Sequence, residues 1–261
     1  MYLFESGVYP APSLSEAKRV GTAGFCLIHF PKISFFRNVS PYLTVVIDMS
    51  EVRQWHNAKR VKRTVNALKE NGFEAVYAST KTDTLKEVLN RVPKNALIGV
   101  GGSITVRELG LIDALSRRGH RVAEHWSSDL APDERMEIRR QQLTSDVFLT
   151  SSNAITESGQ LVNIDGAGNR VAAMIFGPKK VIVVAGVNKI VKDLEEALDR
   201  VNNVAAPMNA KRLNRKTPCA VTGQCTDCRS PERICNVTTI INRKPVRTDV
   251  TVLLVGEELG Y

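Results

Sequence analysis

The stretch covering residues 147–186 most constrains the fold, because it packs four short apolar runs between polar turns. Each run is rich in β-branched or small apolar residues and is bounded by Gly, Asn, Asp, Ser or Pro, which is typical of strands joined by tight turns. No part of the stretch predicts a helix long enough to cross over between parallel strands, so we expect antiparallel hairpins here. The four runs are 147–149, 161–164, 171–176 and 181–185.

Outside that stretch, strand-like and helix-like segments alternate along the chain. This alternation predicts an α/β domain with an open, largely parallel sheet flanked by helices, and with antiparallel hairpin strands around 147–186. Helical periodicity is clear in several segments, among them 189–201, where the apolar residues fall on one face. The further strand-like segments are 73–78, 96–100, 121–126 and 250–255.

Residues 1–48 differ in composition from the rest of the chain. They hold eight of the chain's 15 aromatic residues, few charges, and four prolines that interrupt any periodicity. A clear amphipathic helical pattern follows directly after Met49. We therefore expect residues 1–48 to be an accessory extension, or upstream sequence read through from a misplaced start, outside a domain that covers residues 49–261.

The net charge of +9 favours anionic partners, which include nucleic acid, a membrane surface and charged metabolites. Basic and acidic residues are mixed along most helices, and no motif of the known nucleic-acid modules is present, so we expect no nucleic-acid partner. No apolar run reaches the length of a membrane span. Without a visible secretory signal, we expect a cytoplasmic protein.

Two glycine-bearing polar regions follow predicted strands and are candidate ligand-binding sites. Gly101, Gly102 and Ser103 follow the strand at 96–100 and open a helix, whose free N–H groups and dipole attract anions. The alternative is a plain tight turn in which Ser103 caps the helix. The pattern lacks both G-x-G-x-x-G and the P-loop lysine, so neither nucleotide fingerprint is present. The second region supplies Asn153, Asp165, Asn169 and Arg170.

Arg170 could clamp a carboxylate or a phosphate, because its guanidinium matches both groups with paired donors. Ligands of open α/β sheets bind beyond the carboxyl ends of the strands. We therefore expect both polar regions to converge on one cleft that binds a small anionic metabolite.

Glu157 is the candidate catalytic residue, since it lies on a short turn between two apparent strands. A carboxylate on a rigid turn can serve as a nucleophile or as a general base. The alternative is an exposed turn glutamate, which the residue type and position favour when taken alone. We expect Glu157 to face the same cleft if it is catalytic.

Four of the five cysteines are clustered with the spacing Cys-x5-Cys-x2-Cys-x6-Cys. Four thiolates can complete a zinc site or hold an iron–sulfur cluster, although the spacing matches neither common ferredoxin pattern. Nearby arginines and lysines would favour the thiolate form. The alternative is a set of reduced cysteines in a loop. The predicted metal ligands are Cys219, Cys225, Cys228 and Cys235.

Several of these segments together resemble the LUD-domain (lactate utilisation) proteins. They are Gly101–Ser103 before a helix, the block SSNAITESGQLVNIDGAGNRVAAMIFGP at 151–178, and the ending LLVGEELGY. The resemblance covers residues 49–261, including the cysteine-rich segment 219–235, and is most specific at 146–190. It implies a fold similar to that of sugar-phosphate isomerases and CoA transferases. Residues 157–159 also resemble the Glu-x-Gly turn that carries the nucleophilic glutamate of CoA transferases, but the rest of that signature is missing.

Two functional hypotheses follow from the residues and the resemblance. In the first, the cleft binds a small anionic metabolite, such as a carboxylate, a phosphate or a CoA-like molecule, with or without a transferase- or isomerase-like activity. In the second, the protein is an accessory of lactate oxidation, and a zinc ion or iron–sulfur cluster at residues 219–235 passes electrons or docks redox partner proteins.

Overall fold

The computed structural model describes residues 49–261. The predicted extension at residues 1–48 lies outside these described residues, so its boundary at Met49 stays a prediction.

Within residues 49–261, ten strands form two sheets. The larger sheet has six strands in the order β1-β10-β7-β4-β2-β3, and all its pairs are parallel. The smaller sheet has the order β8-β5-β6-β9; its β5–β6 and β6–β9 pairs are antiparallel and its β5–β8 pair is parallel. The strands are β1 Glu74–Ala78, β2 Leu97–Val100, β3 Arg121–Ala123, β4 Val147–Thr150, β5 Ala154–Thr156, β6 Leu161–Asp165, β7 Lys180–Gly186, β8 Ile190–Val191, β9 Val237–Ile241 and β10 Asp249–Val255.

Helices cover both faces of the larger sheet, which confirms the predicted α/β architecture. A 3-10 turn at Val187–Lys189 precedes β8, and a π-helical segment, Val201–Ala205, joins two of the helices. No helix in the described part of the chain combines the length and hydrophobicity needed to cross a membrane. The helices are α1 Met49–Glu70, α2 Lys81–Arg91, α3 Ile104–Glu108, α4 Leu111–Arg117, α5 Pro132–Leu143, α6 Asn169–Ile175, α7 Leu194–Arg200, α8 Ala206–Arg212 and α9 Pro218–Thr222.

The central strand β7 shows why the larger sheet is so apolar. Val181 and Val183 pack into a core shared with α1 and α6, whereas Ile182 and Val184 pack into a second core shared with α2, α3 and α4. Because successive side chains of a strand point to opposite faces, a strand covered on both faces needs a continuous apolar run. The run at 181–185 therefore marks the centre of the domain.

The turn between β5 and β6 is fixed by a glycine. Gly159 has φ +83°, and a Cβ atom placed on it would lie 2.8 Å from the backbone of Ala67 and Leu68 on α1. Any larger residue would be strained by the left-handed backbone and would also collide with the helix. This close approach docks the smaller sheet on α1.

The predicted strand at 171–176 is wrong, because this segment forms helix α6. Its buried residues Val171 and Met174 are spaced by three, as on one face of a helix, and Asp165 Oδ2 accepts a hydrogen bond from the N–H of Val171 at 3.0 Å. A short apolar run cannot be assigned to strand or helix by periodicity alone. Consequently α6 belongs to the crossover from β4 to β7, and the expectation that residues 147–186 contain no crossover helix is also wrong.

The helix predicted at 189–201 is shorter in the structure. Residues 190–191 pair with β5 as β8, and α7 begins after Asp193, whose side chain accepts a hydrogen bond from Glu196 N–H. Asp193 is a good N-cap, because its carboxylate satisfies a free amide of the first turn. This early strand pairing brings Lys189 into the interior of the domain.

Candidate functional site

Two polar turns meet at one edge of the larger sheet. β2 and β4 are parallel neighbours, and the N–H of Gly101 donates to Leu149 O at 2.9 Å where both strands end. The turn after β2 therefore lies beside the turn after β4. Ser103 opens α3 by accepting a hydrogen bond from Val106 N–H at 3.2 Å.

A small cavity, here called the inner recess, lies between these turns. Its volume is about 80 Å³, and its walls are mostly hydroxyl, amide and charged groups. They include five of the predicted ligand-binding residues. The recess is lined by Gly102, Ser103, Ile104, Thr105, Ser151, Ser152, Asn153, Ile164, Asp165, Arg170, Lys189, Asn209 and Tyr261.

Lys189 lines the inner recess and is only 3% exposed. Its Nζ donates to Thr105 Oγ1 and Ser151 Oγ, each at 2.9 Å. Burial lowers the pKa of Lys189 to about 7, and the positive charges of Arg200 and Arg170 act in the same direction. The amine is therefore partly uncharged at neutral pH, which is unusual for lysine.

Arg170 and Asp165 form a mostly buried ion pair in the wall of the recess, with each side chain 11% exposed. Arg170 Nη2 lies 2.6 Å from Asp165 Oδ1, and the guanidinium also donates to the side-chain oxygens of Asn153 and Asn163 at 2.7 Å. The guanidinium also donates to the carbonyl oxygens of Ser151 and Ile164. The predicted anion clamp is thus engaged within the protein, where it ties the turn after β4 to the end of β6.

A larger cavity of about 590 Å³, here called the outer chamber, adjoins the recess and shares Gly102, Asp165, Arg170 and Asn209 with it. Asn169 lines only this chamber. Gly101 lines neither cavity; it is buried at the end of β2 against Phe148 and Thr150. The charged residues of the chamber are six arginines and two acids: Arg135, Arg139, Arg170, Arg212, Arg215, Arg233, Asp165 and Glu232.

Trp126 forms part of the chamber wall between two arginines. The guanidinium carbons of Arg107 and Arg212 lie 4.2 and 4.3 Å from the centroid of its ring, within cation–π range. Gly102 packs against the indole so closely that a Cβ atom there would lie 2.9 Å from Trp126 Nε1. The glycine therefore lets the turn after β2 approach the tryptophan.

Among the arginines of the chamber, Arg139 has the least favourable electrostatic environment. Burial lowers its pKa, and repulsion from Arg135 and Arg215 lowers it further. Its Nε is buried without a hydrogen-bond partner in the described chain. Within residues 49–261, none of these three arginines forms a salt bridge, and Arg135 donates only to the carbonyls of Ser127 and Leu130.

His125 is a neutral member of the same wall. Burial lowers its pKa to about 4, and the charge of Arg139 acts in the same direction. Gln142 Nε2, which can only donate, lies 2.9 Å from His125 Nδ1. The imidazole is therefore uncharged at neutral pH, and Gln142, which also donates to the carbonyls of Val100 and Ala123, lies against its ring.

Glu157 does not join the other candidate residues. Its carboxylate accepts hydrogen bonds from Arg60 at 3.0 Å and from Arg63 at 2.7 Å, both on α1, and it lines neither cavity. Burial alone would raise the pKa of Glu157, but the two arginines outweigh it and leave the pKa below its ordinary value. The expectation that Glu157 faces the cleft is not met, because the docking of the β5–β6 turn on α1 directs it elsewhere.

The four clustered cysteines are free and half-buried. Arg233 donates to the carbonyls of Cys228 and Cys235 at 2.7 and 3.2 Å, while Cys219 lies apart on α9. Within residues 49–261, no three His, Cys, Asp or Glu side chains are grouped so that they could hold a metal ion. This geometry does not fit a zinc ion or an iron–sulfur cluster, and the predicted ligand set remains a prediction from the sequence.

Lys189 was not among the site residues predicted from the sequence, nor were the arginines of the outer chamber other than Arg170. A signal was available for Arg135 and Arg139, which are four residues apart and so share one face of α5. The sequence indicated Lys189 less clearly, because the only hint is a charged residue within an apolar segment. Nothing local marks Arg215, because only the tertiary fold brings it to α5.

Comparison with known proteins identifies a family model described as LUD domain, which matches residues 61–255. The structure is similar to the crystal structure of a DUF162 family protein from Deinococcus radiodurans, with 14% identity over 76% of this chain and 98% of that chain and a TM-score of 0.46. It also matches eIF2B delta from Chaetomium thermophilum, with 16% identity over 57% of this chain and 58% of that chain and a TM-score of 0.29. No curated protein matches the chain.

Proposed function

The chain belongs to the LUD domain family, as a protein of the lactate-utilisation type, and from that premise we propose that its cleft binds a small anionic metabolite. The ligand is a carboxylate, a phosphate or a CoA-like molecule. It occupies the outer chamber and reaches the inner recess through their shared wall.

The uncompensated positive charge of the outer chamber carries this proposal. Of its six arginines, Arg170 and Arg233 form salt bridges, with Asp165 and Asp227. The other four have no carboxylate partner within the described residues. Like charges held close together in a partly desolvated cavity repel each other, and an anion that binds between them removes that repulsion.

The chamber also supplies neutral donors beside these charges. The neutral imidazole of His125 and the side chain of Asn169 both line it. Charged and neutral donors together suit an oxyanion, which accepts several hydrogen bonds at once. We keep a transferase- or isomerase-like activity as an open extension of this proposal, and Glu157 has no part in it.

Replacement of Arg139 and Arg215 by glutamine tests the proposal. Calorimetric titration of the wild-type protein with pyrophosphate, coenzyme A and L-lactate should show binding of at least one of them. The double replacement should weaken that binding by about 10- to 100-fold or more, because each hydrogen bond to a charged group contributes about 1.5–3 kcal/mol.

Arg140 offers a matched control on the same helix, since its side chain is 68% exposed and pairs with Glu137 outside the cleft. Arg140→Gln should bind as the wild type does. The proposal is refuted if no anion of the panel binds, or if the double replacement binds as tightly as Arg140→Gln.

A further inference from the structure

The inner recess has free hydrogen-bond donors, whereas its carboxylate acceptor Asp165 is already engaged by Arg170 and by the N–H of Val171. Within residues 49–261, the hydroxyl hydrogen of Ser103 has no acceptor, and its oxygen serves only Val106 N–H. The amide nitrogen Nδ2 of Asn153 also lacks an acceptor there, because the bonds of this side chain use its oxygen. Both residues line the recess. Both groups are therefore free to donate to a ligand in the recess.

Lys189 completes this set of donors. A neutral amine has two N–H bonds, and the hydroxyls of Thr105 and Ser151 accept both. Protonation adds a third N–H, for which the described residues offer no carboxylate within salt-bridge distance. The cationic form of Lys189 therefore becomes more favourable when an acceptor with negative charge enters the recess.

The charged groups around Lys189 strengthen this dependence on an anion. Arg200 on α7 and Arg170 on α6 disfavour its protonation, and Glu108 at the end of α3 favours it more weakly. Among the described residues, Arg200 hydrogen-bonds only to the carbonyls of Asn188 and Asn153. The phenol of Tyr261, also at the recess, stays neutral because burial raises its pKa.

We propose that the inner recess is a binding subsite for one oxyanion group, a carboxylate or a phosphate, and that Lys189, Ser103 and Asn153 hold it. The cavity of about 80 Å³ restricts the occupant to a single small group. The inference rests on the proposed function, since this group belongs to the metabolite whose remaining charge lies in the outer chamber.

This subsite makes anion binding depend on protons. Above pH 7, Lys189 is mostly neutral and must take up a proton to hold the anion. Binding should therefore take up about one proton per site at pH 8 and much less at pH 6, where the amine is already charged. The outer arginines carry their charge at both pH values and give no such uptake.

Calorimetry with sulfate and with acetate tests the subsite, because neither anion titrates between pH 6 and 8. The tetrahedral and planar probes distinguish a phosphate-like from a carboxylate-like occupant. Each titration is repeated in two buffers of different ionisation enthalpy, so that the number of protons taken up is measured directly. The wild-type protein should bind at least one probe with the proton uptake stated above.

Lys189→Met should abolish the proton uptake and weaken binding at least tenfold. Lys192→Met is the matched control, because Lys192 follows in the same segment with its side chain 83% exposed, and it should change neither quantity. Ser103→Ala keeps the amine; it should weaken binding severalfold while proton uptake persists. This second variant tests the subsite even if Lys189→Met does not fold.

The outcomes separate this inference from the proposed function. Binding that takes up no proton and tolerates both Lys189→Met and Ser103→Ala, yet is lost on replacement of Arg139 and Arg215, overturns the subsite alone. Binding that needs Lys189 but tolerates the arginine replacements supports the subsite and overturns the role of the chamber. Absence of binding for every anion tested, those of the larger panel included, overturns both.

Discussion

Replacing Lys189 with methionine should stabilise the protein at pH 7, although it removes two hydrogen bonds. The pKa of the amine falls from 10.5 to about 7 on folding. Each unit of pKa difference corresponds to about 1.36 kcal/mol, so burial of the partly protonated amine costs about 4 kcal/mol at pH 7. The hydrogen bonds to Thr105 and Ser151 each stabilise the folded state by about 1 kcal/mol. We therefore expect the variant to gain about 2 kcal/mol in its free energy of unfolding.

The pH dependence gives this prediction a definite sign. Because the pKa of Lys189 is lower in the folded state, the unfolded chain binds more protons between about pH 7 and 10.5. The stability contributed by this residue thus rises with pH across that window and is lost as pH falls towards 7. Methionine does not titrate, so the advantage of the variant should shrink as pH rises from 7. Near pH 10 the wild type should be the more stable protein, by its two hydrogen bonds.

Urea unfolding followed by circular dichroism at pH 6, 7, 8.5 and 10 measures the difference between the two proteins. Comparison of the pair cancels the titration of all groups that they share. A variant that is less stable than the wild type at pH 7 would contradict the reasoning, as would a difference that does not change with pH.

Four further predictions follow from other parts of the structure. Arg170→Met should lower the free energy of unfolding by about 3–5 kcal/mol, measured by urea titration, because it leaves Asp165 charged and buried without its partner. Gly159→Ala should destabilise by about 2–3 kcal/mol, more than Gly110→Ala, whose backbone is also left-handed but whose surroundings are open. Elemental analysis of anaerobically purified protein should find less than one equivalent of zinc or iron, since no three of the clustered cysteines are grouped; a full equivalent would restore the metal site predicted from the sequence. A chain that starts at Met49 should melt within a few degrees of the full chain, and a large loss in melting temperature would refute the predicted boundary.

The architecture could be predicted from the sequence because burial on both faces leaves a continuous apolar run, as at 181–185. The meeting of the turns at Gly101–Ser103 and 151–153 was also within reach, since neighbouring parallel strands end at the same edge of a sheet. The run at 171–176 was misassigned because its length suits a strand and its spacing suits a helix. The local sequence pattern alone does not decide between a strand and a helix for such a segment.

The chemistry of the site was harder to predict than its location. Arg170 was expected to bind a ligand, and only the structure shows that its donors are engaged by Asp165 and the asparagines around it. Arg215 and Arg139 are 76 positions apart in the sequence but close in the structure. No local sequence pattern predicts that they meet. The spacing of the cysteines likewise says which sulfurs are near in the chain but not which are near in space.

The stacking of Arg212 on Trp126 gives the cleft an optical reporter of its own. The chain has two tryptophans, and the other one, Trp55, is 60% exposed on α1. In a Trp55→Phe background, all tryptophan emission would come from the wall of the outer chamber. A guanidinium 4.3 Å from the ring shifts in position when it turns towards an anion, and the emission of the indole changes with it. Occupancy of the cleft could then be observed in real time, without a label and before the natural ligand is known.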